Sequence, residues 1–75
     1  AAVLLLKNLT EEISYKENPD HERSMQIISY IEAILPYIEE NQSAICAQAF
    51  YNISMLYGQF QNNALALIYV KRCID

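Results

Sequence analysis

Glycine is almost missing from this chain: Gly58 is the only one, and His21 is the only histidine. Without either residue type in number, there is little from which to build a local active site. His21 stands beside Asp20 and Glu22, with neither a reacting partner nor further metal ligands at helical spacing. Basic residues are also scarce. Five Lys and Arg face nine Asp and Glu, for a formal charge of −4. A nucleic-acid surface needs clustered Lys and Arg, and the only adjacent pair is Lys71-Arg72, so binding of nucleic acid or of an anionic membrane by this segment is not expected. The longest apolar runs, Ala1–Leu6 and Ala64–Val70, fall well short of the roughly 18 residues of a spanning helix. The two cysteines, Cys46 and Cys73, lack metal-ligand spacing and sit in apolar stripes. They read as core thiols of a cytoplasmic protein, with no metal and no cofactor.

What is abundant is apolar surface. Hydrophobic residues make up 53% of 75 positions, in a chain too short to bury much of its own surface. The excess calls for a partner, either a second copy or flanking sequence. The chain starts at Ala1 and reaches Asp75 without a glycine or proline stop, so it reads as a single helical module, 1–75, from a larger protein.

Apolar residues recur at intervals of three and four, and strict alternation never lasts. The pattern predicts an all-α fold of four helices in two antiparallel hairpins. The first helix is expected from Ala2 to Lys16, with Leu5, Leu6, Leu9 and Ile13 inward and Lys7–Glu11 and Glu12–Lys16 as exposed charge pairs. The second begins with Asn18 as N-cap and Pro19 at the first helical position and runs to about Glu40. Its stripe is Met25, Ile28, Ile31, Leu35 and Ile38, widened by Ile27, Ile34 and Tyr37. Pro36 must kink or split it. The third runs from about Ser43 to Phe60 and the fourth from Asn62 or Asn63 to the end.

Residues 47–75, AQAFYNISMLYGQFQNNALALIYVKRCID, carry the most specific pattern. Phe50, Ile53, Ser54 and Tyr57 are followed nine residues later by Ala66, then by Val70 and Cys73. This segment resembles a tetratricopeptide repeat, a 34-residue helix–turn–helix unit. The small residues Ser54 and Ala66 would mark the close crossing of the two helices. Gln61 stands where the family has its turn glycine. Upstream, Ala33 and Tyr37 lie 33 residues before Ala66 and Val70, an echo of a preceding second helix.

In the third helix Gln48, Tyr51, Asn52, Met55 and Gln59 share one face, opposite Ala49, Ile53, Leu56 and Phe60. The resemblance implies that this stripe lines a concave surface and that Asn52 holds a bound peptide's backbone, an amide offering both donor and acceptor. The expected function is therefore a non-catalytic protein- or peptide-binding module, of the kind that senses a ligand in a peptide-responsive regulator. The competing expectation is a structural dimerisation segment that buries the wide faces of helices 2 and 4.

Overall fold

Every regular element is helical in the computed structural model, which describes residues 1–38 and 40–74. The α-helices are α1 (Ala2–Glu12), α2 (His21–Ile34), α3 (Ser43–Gln59) and α4 (Asn63–Ile74), and there is no strand among the described residues. Short connections fold them into two hairpins, α1–α2 and α3–α4. The second hairpin closes on the first mainly through α3 against α1. Leu6, Leu9 and Ile13 from the first segment, Ile27, Ile28 and Ile31 from α2, Ala49, Ile53 and Leu56 from α3 and Tyr69 from α4 form one buried core.

The first helix ends at Glu12 rather than Lys16. Ser14 is the reason: its hydroxyl and its amide both bond the Glu11 carbonyl, at 2.7 and 3.2 Å. This local bond competes with helix propagation. The Glu12–Lys16 pair therefore does not form, and Glu12 meets Arg23 Nη2 at 2.9 Å across the hairpin instead. Leu5, expected inside, is 47% exposed, and Thr10 is buried in its stead. The second helix starts two residues later than expected. Asp20, extended at φ −72° and ψ 117°, is the N-cap, and its carboxylate accepts from the Arg23 amide at 3.1 Å. Pro19 precedes the cap.

Pro36 splits the second helix. A 3-10 turn, Leu35–Tyr37, replaces its last part, and a second, Glu40–Gln42, leads into α3. The ring removes one backbone donor and obstructs the preceding turn. Tyr37 is thrown outward, 77% exposed, and Ala33 is exposed too. The 33-residue echo of Ala66 and Val70 thus falls on outward positions. Glu39, included in the expected helix, and Asp75, the expected end of the fourth, lie outside the described residues.

The α3–α4 turn follows the expected boundaries closely. The Asn62 amide bonds the Tyr57 carbonyl at 2.9 Å and the Gln61 amide bonds the Gly58 carbonyl at 3.0 Å, the paired closure of a Schellman end. Gln61 takes φ 62°, the left-handed region that glycine occupies most cheaply. Asn62 then caps α4, its Oδ1 accepting from the Leu65 amide at 3.2 Å.

Candidate functional site

The five residues placed on one face of α3 separate into two groups once α1 is packed beside it. Tyr51 and Met55 are 50% and 45% exposed. Gln48 is exposed as well, whereas Asn52 and Gln59 are partly buried. The division follows from rotation about the helix. Asn52 and Gln59 sit on the side nearer Ala49 and Leu56, toward α1, and Tyr51 and Met55 sit on the side away from it.

The two inner amides bond backbone in this structure. Asn52 Nδ2 donates to the Thr10 carbonyl at 3.0 Å. Gln59 Nε2 donates to the Lys16 carbonyl at 2.7 Å. The Thr10 carbonyl lies in the last turn of α1, where carbonyls lack helical partners, and Lys16 lies in the connection that follows. Gln48 Nε2 in turn donates to Asn52 Oδ1 at 2.8 Å. The result is a relay in which Gln48 orients Asn52 and Asn52 holds α1. Sequence pattern alone could not reveal it, because both backbone acceptors lie more than forty residues away.

Gln48 and Ala44 stand on a ridge between two depressions. On the α1 side a groove of about 330 Å³ is lined by Lys7, Thr10, Glu11, Ala44, Ile45 and Gln48. Lys7 and Glu11 had only the signal of a surface charge pair. On the other side a shallower, open depression of about 480 Å³ is lined by Ala44, Ala47, Gln48, Tyr51 and Cys73. Ala44 on the ridge leaves room on both sides, Ala47 leaves room on the Tyr51 side, and Tyr51 supplies an aromatic wall with a polar tip.

Behind this face Arg72 ties α4 to the rest. Its guanidinium lies 4.3 Å from the Phe50 ring centre and 5.1 Å from that of Tyr69. Nη1 donates to Glu32 Oε2 at 3.1 Å, and Oε1, 3.0 Å away, adds ionic attraction without hydrogen-bond geometry. Tyr57 stacks on Tyr69 with centres 5.7 Å apart. Burial, and secondarily the Glu32 charge, raises the pKa of both tyrosines above the ordinary value. For Tyr69 the neighbouring Tyr57 adds to the rise and Arg72 opposes it.

Burial likewise pushes the Cys46 thiol up, which makes it a poor nucleophile at neutral pH. Both cysteines are free and half-buried. His21 is exposed, with its ring edge-on to Phe60 at 4.6 Å. Among the described residues no cluster of three His, Cys, Asp or Glu could hold a metal ion. No helix there is long and apolar enough to cross a membrane. Comparison with models of known families, with curated proteins and with solved structures finds no match.

Proposed function

We infer that this chain is a non-catalytic, tetratricopeptide-like helical module that binds a protein or peptide on the outer face of α3, within a cytoplasmic protein. The observation that carries the reading is the surface around Gln48. An exposed tyrosine, an exposed methionine and a side-chain amide stand together beside two open grooves. Tyrosine contributes large contact area at low entropy cost, and methionine adapts to irregular partners. The left-handed Gln61, at the position of the family's turn glycine, supports the repeat resemblance. So does Ser54, buried at the position expected of a small crossing residue. Because the Asn52 donor already holds Thr10, backbone recognition of a peptide passes to Gln48, with Tyr51 and Met55 supplying apolar contact and Asn52 and Gln59 fixing the platform.

The test is selection of short random peptides displayed on phage, with counter-selection against the Tyr51→Glu, Met55→Glu double variant. Peptides that bind the parent and not the variant, with helical content equal in both, are expected. Failure to enrich any peptide over the variant would overturn the reading.

A second reading, self-association, has its own observation. Leu67, Ile68, Val70 and Ile74 make α4 apolar on its exposed side.

A further inference from the structure

The two hairpins repeat one another in a register that the structure makes visible. Leu6, Leu9, Thr10 and Ile13 are all buried. Each lies 44 residues before Phe50, Ile53, Ser54 and Tyr57 respectively. Ser24, Ile28 and Ile31, also buried, each lie 42 residues before Ala66, Val70 and Cys73. The change from 44 to 42 falls in the connections, so a longer loop in the first hairpin accounts for it. The small position of each first helix is Thr10 or Ser54, and that of each second helix is Ser24 or Ala66.

The equivalence exposes an asymmetry. Ile28 is 5% exposed, and its counterpart Val70 is 39% exposed. Ile31 is fully buried, and its counterpart Cys73 is only partly so. In the first hairpin these positions belong to the core that the second hairpin closes. In the second hairpin the same positions are uncovered. The complementary side is uncovered at the other end of the molecule. Ala49, fully buried, and Asn52, bonded to Thr10, belong to the α3 side that meets α1. Their counterparts 44 residues earlier are Leu5 and Asn8, both exposed on α1.

We propose that the occupant of this uncovered face is a second copy of this chain, stacked head to tail. The Leu5 side of its α1 packs against α3 and reaches Val70 and Cys73 of α4, as α3 packs against α1 and reaches α2 within one chain. The contact continues the interface that already joins the two hairpins. It is heterologous, one face meeting a different face, so it does not close at a dimer. The proposal deepens the self-association reading and does not depend on a peptide ligand.

Sedimentation of the full chain over a dilution series tests it, with Leu5→Glu blocking one face and Val70→Glu the other. The parent chain is expected to form species beyond dimer as concentration rises. Each variant alone should lose every species above monomer, and their equimolar mixture should form a heterodimer and nothing larger. Leu4→Glu and Ile74→Glu, at more exposed positions on the same faces, repeat the experiment if either first variant loses helical content. A parent chain that stays monomeric would overturn self-association as a whole and leave the face to a different partner. A parent chain that stops at dimer, with one variant still dimerising alone, would overturn only the head-to-tail geometry.

Discussion

The Asn52 side chain caps a helix to which it does not belong: its Nδ2 donates 3.0 Å to the carbonyl of Thr10, in the last turn of α1. A helix end leaves such carbonyls without partners, and α3 supplies one. The amide expected to greet a ligand also joins the two hairpins. Asn52→Ala should therefore lower stability by about 1 kcal/mol, the net worth of one such bond, despite the better helix propensity of alanine. Asn52→Asp should cost at least as much, because a carboxylate cannot donate to that carbonyl. Chemical denaturation of the three proteins checks both.

Gly58 and Gln61 each occupy a place suited to other residues. Gly58 lies inside α3, where a Cβ would meet open space, whereas Gln61 holds the left-handed position that ends the helix. Gly58→Ala should stabilise by about 0.5–1 kcal/mol through helix propensity. Gln61→Gly should stabilise by roughly 0.5–1 kcal/mol by relieving the left-handed strain, less the added freedom of the unfolded chain. A raised thermal midpoint in each single variant is the expected result, and it should rise further in the double variant.

Arg72 joins three partners, two of them on other helices: Glu32 of α2 and Phe50 of α3, with Tyr69 of its own helix as the third. Arg72→Ala should cost about 1–2 kcal/mol, mostly from the ring contacts, since a half-exposed ion pair contributes little. Arg72→Lys should fall between the two, because an ammonium keeps the charge and loses the flat, forked geometry. Urea midpoints of the three proteins decide.

Alkaline pH should unfold the chain through its tyrosine pair. Burial raises the Tyr57 and Tyr69 pKa values above the ordinary value of 10.0. The folded state then keeps phenol protons that the unfolded state has released, so stability falls with rising pH. The contribution is intact below about pH 10 and is lost as pH climbs through the raised folded values. The difference in melting temperature between the parent and the Tyr57→Phe, Tyr69→Phe double variant, followed from neutral to alkaline pH, isolates the effect from lysine titration. The parent should lose more.

Local chemistry made much of the fold legible. Asn62 marked the start of α4 as its cap, the apolar spacing marked the inner faces, and Pro36 marked the break after α2. Ser43, a good cap by type, is instead the first residue of α3, behind a Gln42 cap whose side chain makes no cap bond. The misses have physical reasons. Ser14 ends α1 through a side-chain bond that spacing does not display, and Asn18 and Asp20 are both good caps, between which only the backbone path decides. Among the candidate site residues, the exposure of Gln48, Tyr51 and Met55 followed from their side of the helix. The partners of Asn52 and Gln59 did not, since the Thr10 and Lys16 carbonyls carry no side-chain signature. The register between the two hairpins was hidden because Thr10 and Ser24, small but polar, fill positions where an apolar pattern is sought.

The recognition face on α3 is tested most directly by backbone amide chemical-shift mapping with a peptide selected on the parent chain. The shifts should gather at Gln48, Tyr51 and Met55, and spread to Lys7 and Glu11 across the adjoining groove. They should leave Leu67 and Ile68 on the outer side of α4 unmoved. Shifts centred on α4, with the α3 face silent, would contradict the account.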